Sequence, residues 1–301
     1  MPLPDGFSDV AAGFSALMQA VRGRGGTPHN DGEQRLLIDQ LRNALDRRAG
    51  TMAPPDPAFI AGTFAVENLL YKGRHSRVLK LRHRDLGTAY VLKTLTTDGA
   101  SSASQANLLV REARIGLDLH HPSLVGTSML LRLADGGPGL IQPWAGYSLR
   151  ERLEKEDETD LDIAQIMHDL LTALEALHNR GLVHGDVTPS NIILDPQRRI
   201  ARLADFGLTI ECGASWANLG LAEVGSPEYC APEQSASSKA SAAMDLYGAG
   251  RVLLRMLDTV PQGHNADLAQ LADHLCKIDP GNRPETAKEA LANLSRIGTR
   301  E

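Results

Sequence analysis

The chain has 301 residues, 42% of them hydrophobic, 23% charged and 4% aromatic, with a formal net charge of −6. A mildly acidic, aromatic-poor protein offers neither the basic footprint nor the stacking platform that nucleic acid requires, and no window holds the ~20 apolar residues needed to cross a bilayer. The three cysteines, Cys212, Cys230 and Cys276, are scattered and odd in number; they fit neither a disulfide framework nor a zinc site and point to a reducing, cytoplasmic setting.

At the N-terminus, Asp5 and Asp9 stand where a secretory signal carries basic residues. Phe7, Val10, Ala11, Phe14, Leu17, Met18 and Val21 recur at helical spacing, and the glycines before Gly26 end that pattern. A second helix is predicted from Asn30 or Asp31 to about Arg48, with Leu37, Leu41, Ala44 and Leu45 on one face. Pro54, Pro55 and Pro57 then form a stiff linker. A helix pair this short builds no core of its own. Its apolar faces must bury against the rest of the chain, or serve docking or self-association.

Strands are predicted at 64–70, 78–82 and 89–95, with a turn from Tyr71 through Gly73 and Ser76 to Val78. Lys93 lies mid-strand between apolar neighbours, which argues for burial, and a buried Lys needs a partner. The helix predicted over 108–119 carries Glu112. A Gly-rich turn separates strands ending at Leu133 and Gln142, and Pro143 and Trp144 follow. Ser148 opens a short helix with Leu149 and Leu153 inward, and residues 151–160 form a charged, solvated run. A long amphipathic helix, from Leu161 to about Asn179, leads through Leu182 and Val183 to His184-Gly185-Asp186. Asn191 stands five residues after Asp186, and Asp205-Phe206-Gly207 follows a further apolar strand. Phosphoryl transfer needs a proton acceptor and hard oxygen ligands for magnesium, held in line with a nucleotide. Asp186 suits the first task; Asn191 and Asp205 suit the second.

These motifs resemble those of protein kinases, most closely bacterial Ser/Thr kinases of the eukaryotic-like type. The resemblance extends to Ala231-Pro232-Glu233, to the acceptor loop Gly225-Ser226-Pro227-Glu228-Tyr229, and to Asp245 and Arg283 as structural positions. It implies an α+β, two-lobed domain over residues 59–299, divided into a small lobe at 59–142 and a large lobe at 143–299, after an extension at 1–58. It also implies ATP and Mg²⁺ as cofactors and a protein substrate. Lys93 and Glu112 would position the α- and β-phosphates beside the catalytic Asp186. Gly73, Val78, Val91 and Ile193 would line the nucleotide pocket, and Gln142 and Trp144 would hold adenine through their backbone. His184 would brace the Asp-Phe-Gly backbone, and Glu233 and Arg283 would form a buried ion pair.

Several positions depart from that family. Only Gly73 remains of three loop glycines, with Tyr71 and Ser76 in place of the others, and Val91 narrows the adenine site. Gly185 stands where an Arg usually reads a phosphorylated activation segment, and Thr188 where a Lys steadies the γ-phosphate. Loss of one such preorganised contact typically costs ~10²–10³ in rate. The polar stretch 258–265 replaces a substrate-docking helix. Among the hydroxyls of the activation segment, Thr209, Ser215, Ser226 and Tyr229, the polar surroundings of Ser215 favour modification there. The expected activity is slow phosphorylation of protein Ser/Thr, including autophosphorylation. The alternatives are a pseudokinase scaffold and a small-molecule phosphotransferase; the latter shares His-Gly-Asp and the following Asn, but lacks Ala-Pro-Glu.

Overall fold

The computed structural model describes residues 59–96, 102–154, 161–195, 200–221, 224–259 and 266–298. The two helices predicted before residue 50, the linker and their docking role lie outside the described residues, as does most of the polar stretch at 258–265. The chain divides into two compact units. In the first, the described residues are 59–66 and 133–136. Strand β1 (Phe59–Ile60) pairs antiparallel with the start of β2 (Phe64–Lys72), in the register Phe59↔Ala65. Ala61 and Gly62 turn the chain between them at φ 52 and 65.

The second unit begins with the rest of β2 and continues through β3 (Ser76–His83), β4 (Ala89–Leu95), α1 (Ala103–Asp118), β5 (Met129–Arg132) and β6 (Pro138–Pro143). The sheet runs in the order β2-β3-β4-β6-β5, with antiparallel ladders joining β3 to β4, β4 to β6 and β5 to β6. Strand β4 is central, as its apolar composition requires, and Lys93 pairs across with Val78 on one side and Leu140 on the other. Helix α1 buries Leu109, Glu112, Ala113 and Gly116, one face at 3- and 4-residue intervals. It starts five residues before the predicted helix, because Ser102 caps it by accepting from the Gln105 amide.

The following part is mainly helical. It comprises β7 (Tyr147–Ser148), α2 (Leu149–Leu153), α3 (Ile163–His178), β8 (Leu182–Val183), β9 (Ile192–Asp195), β10 (Ile200–Leu203), β11 (Ile210–Glu211), α4 (Ala242–Leu257), α5 (Ala266–Leu275) and α6 (Ala287–Gly298). A Ser148–Glu151 capping box starts α2 and Asp162 caps α3. Helix α3 is apolar around much of its circumference, which places it at the centre of the core. Its Met167, Leu171, Leu174 and Leu177 are fully buried with Leu246, Val252, Leu253 and Met256 of α4 and Leu275 of α5. Asp245 lies in the first turn of α4, and α5 buries Leu268, Leu271, Ala272 and Leu275. No described helix is long and apolar enough to cross a membrane.

Two small sheets, β10-β9-β7 and β11-β8, hold the loops between α3 and α4. The β7–β9 pairing depends on Gly146, at φ 132, where a Cβ would lie 1.9 Å from the Leu194 carbonyl oxygen. Gly146→Ala is therefore expected to cost stability at the upper end of the ~1–3 kcal/mol seen for overpacking. A melting curve matching wild type would contradict that packing.

Candidate active site

Lys93 is the meeting point of three elements. From β4 its Nζ donates to Glu112 Oε1 and Oε2 on α1, both at 2.9 Å, and to Asp205 Oδ1 and Oδ2, both at 2.8 Å. The burial of Lys93 by itself would lower its pKa, but the facing carboxylates of Asp205 and Glu112 outweigh it and hold the amine charged. Asp205 is driven the other way: Lys93 overcomes the burial penalty and keeps the carboxylate ionised. Burial pushes the Glu112 carboxyl up to about 7 against the pull of Lys93, so the negative charge of the cluster rests mainly on Asp205, whose side chain is still 41% exposed. That is a donor set suited to a hard cation.

The Asp205 backbone has φ 65, a left-handed conformation uncommon for a residue other than glycine. Gly207 follows and donates its amide to Asp205 Oδ1 at 3.1 Å. A Cβ on Gly207 would lie 3.1 Å from that oxygen and 3.4 Å from Glu112 Oε2, so the close approach favours glycine. Phe206 is fully buried, edge-on to His184. His184 Nδ1 accepts from the Asp186 amide at 3.3 Å, which leaves Nε2 to donate to the Ala204 carbonyl at 3.2 Å. The imidazole thus braces the residue just before Asp205, the structural role predicted for it.

The loop from His184 to Asn191 hangs from Asp245, whose carboxylate accepts the amides of His184 and Gly185, both at 2.8 Å, and lies 2.9 Å from His178 Nε2. Below it, Asp186 Oδ1 accepts from both the amide and the hydroxyl of Ser226, each at 3.0 Å. Asn191 Nδ2 donates to the Asp186 backbone oxygen at 2.9 Å and to its Oδ2 at 3.0 Å. Both amide hydrogens of Asn191 are thereby spent, and its amide oxygen is left as the acceptor available to a metal. Burial pushes the Asp186 carboxyl above the usual range, against the pull of His184 and the Ser226 hydrogen bond. Thr188 is buried and brings no charge.

In the sheet around Lys93, Val91 pairs with Gln142, and Val78 lies opposite Lys93. Ile193 packs with Val125, Ala145 and Ala204, beside the residue that precedes Asp205. The Gln142 side chain is buried and donates to Val125 O at 3.2 Å. The Trp144 amide, expected to be free for adenine, donates instead to Ala89 O at 3.2 Å, extending the β4–β6 ladder by one step. The Trp144 ring lies under Lys80 Nζ, 4.6 Å from its centroid. The glycine-poor loop closes tightly: Gly73 N donates to Ser76 O at 2.9 Å, and the Tyr71 hydroxyl occupies the space a Cβ on Gly73 would need.

Ser226, in the loop expected to receive the acceptor, sits on the Asp186 carboxylate. Ser215, the hydroxyl expected to favour modification, donates to Ala236 O at 2.7 Å. The Arg283–Glu233 pair is present, with contacts at 2.6 and 2.9 Å.

A family model described as "Protein kinase domain" matches residues 64–286. The chain is 27% identical over 247 residues to the Myxococcus xanthus protein named serine/threonine-protein kinase pkn3, covering 78% of this chain and 44% of that protein. It is 27% identical over 241 residues to the Mus musculus protein named serine/threonine-protein kinase Sgk2, covering 76% of this chain and 65% of that one. The chain therefore spans roughly half the length of these curated relatives. Among solved structures, the Mycobacterium tuberculosis PknI kinase domain superposes with a TM-score of 0.60 at 20% identity, over 81% of this chain and all of that one.

Proposed function

The chain belongs to the protein kinase domain family, and from that premise we propose that it transfers the γ-phosphate of ATP to a Ser or Thr hydroxyl of a protein, itself included. The observation that carries this reading is the position of Lys93, held between Glu112 and Asp205 at 2.8–2.9 Å while Asp186 and Asn191 stand in one hydrogen-bonded loop. Lys93 would bear on the α- and β-phosphates. Asp205 and the Asn191 amide oxygen would hold Mg²⁺, which when bound neutralises phosphate charge. Asp186 would take the proton of the acceptor hydroxyl, with Ser226 fixing the orientation of its carboxylate. With Thr188 uncharged, turnover should be lower by ~10²–10³ than with a cation there.

A second reading, a nucleotide-binding scaffold without transfer, draws support from the Trp144 amide being already engaged by Ala89 O. Incubation with γ-labelled ATP and Mg²⁺, with phosphoamino-acid analysis of the products, separates the two. Label on Ser or Thr is the expected result. No label on any protein favours the scaffold, and label on a small hydroxylated compound alone favours a small-molecule phosphotransferase.

A further inference from the structure

Gly185 carries no side chain, and the space beside it is filled. A Cβ there would lie 2.9 Å from the Trp216 ring and 3.1 Å from the Leu208 carbonyl oxygen. Trp216 is fully buried, and its indole N–H donates to Leu208 O at 2.8 Å. The next carbonyl, Thr209 O, accepts from the Arg111 guanidinium, which arrives from α1. Two successive carbonyls just after Asp-Phe-Gly are thus capped, one by the segment's own tryptophan and one by the helix that carries Glu112. Arg111 directly precedes Glu112, so the same turn of α1 grips Lys93 and the segment together. One nitrogen of that guanidinium, Nη1, is buried without a partner, so Arg111 is held there against a desolvation cost.

Residues 213–217 are tied down as closely. Gly213 N donates to Ala240 O and Ala240 N to Ala214 O, both at 2.8 Å, and Ala217 N donates to Ala236 O at 2.7 Å. The Thr209 and Ser215 hydroxyls are turned inward onto His184 O and Ala236 O.

We propose that Trp216 and Arg111 are positioning residues that hold the segment after Asp205 in its transfer-competent form with no phosphate on it. Trp216 occupies the side of Gly185, and Arg111 couples the segment to Glu112, so that helix α1 and the segment move only together. The proposal rests on the phosphoryl-transfer reading above.

The test has two arms. In the first, protein treated with phosphatase and verified as unphosphorylated by mass is assayed for hydrogen exchange over residues 208–217 and for phosphate transfer. Slow exchange and an unchanged rate are expected. In the second, Arg111→Met should lower kcat by up to about 100-fold, the loss typical of a misplaced catalytic geometry, with little change in KM for ATP. Arg111→Lys should recover part of that loss, and Trp216→Phe, which keeps most of the volume but loses the indole donor, should be less impaired than Trp216→Ala. Exchange of those amides at the free-chain rate in unphosphorylated protein would overturn the proposal. So would loss of transfer on phosphatase treatment, or a full rate in Arg111→Met. If the wild type transfers nothing in any state, the phosphoryl-transfer reading fails, and the exchange arm alone decides whether the segment is built in.

Discussion

Asp186→Asn is expected to lower phosphate transfer by about 10²–10⁴-fold, the range for removing a positioned general base, while nucleotide binding persists. The carboxylate is an acceptor throughout: Oδ1 takes two donors from Ser226, and Oδ2 takes one from Asn191. An Asn side chain keeps the shape but cannot take up a proton. It also turns an NH₂ group toward donors on one side or the other, whichever way it flips. Lys93, Glu112 and Asp205 do not contact Asp186 in the hydrogen-bond network, so their ion-pair cluster stays intact. Label incorporation by both proteins, measured side by side, checks this. Equal rates would mean that any label arises elsewhere.

The largest stability loss is expected at Arg283. Its side chain is fully buried, and it donates to both oxygens of Glu233 and to the carbonyls of Ala243, Lys277 and Ile278. It also lies over the Tyr247 ring at 4.9 Å. One guanidinium therefore joins the start of α4, the residues just after α5 and Glu233. Removing one partner of such a pair typically costs ~3–5 kcal/mol, because the other charge is left uncompensated. The Glu233 side chain keeps 26% exposure, so solvent relieves part of that, and Arg283→Ala should fall near the lower end. At roughly 2–4 °C per kcal/mol for a chain of this size, the melting temperature should drop by about 6–12 °C. A drop no larger than that of an exposed Arg, such as Arg77→Ala, would show the network to be unimportant.

The site was legible in the sequence where chemistry fixes residue identity. Lys93, Glu112 and Asp205 are 19 and 93 residues apart in succession, yet each occupies a position that only its residue type serves, and the structure joins them. Strand β4 was legible to its ends because apolar residues stand on both sides of Lys93 and Thr94. The start of α1 was not, because the small polar residues around Ser102 read equally as a loop until the cap is seen. The Trp144 amide depends on how far the β4–β6 ladder extends, which composition does not encode. Trp216 and Arg111 left no signal at all. A tryptophan in a polar loop and an arginine on a helix read as surface residues, and their roles rest on carbonyls of Leu208 and Thr209 that no side-chain pattern reveals. Ser215 was misread for the same reason: its partner is the backbone of Ala236.

The account turns on whether Lys93, Glu112 and Asp205 together form a seat for a metal-bound triphosphate. A thermal-shift titration with ATP, with and without Mg²⁺, on wild type and Lys93→Ala measures this directly. At 100 times Kd, ligand binding should stabilise the wild type by about 2.7 kcal/mol, or roughly 5–10 °C, only when the metal is present, and Lys93→Ala should lose most of that shift. No shift at saturating nucleotide, or an equal shift in both proteins, would contradict the account.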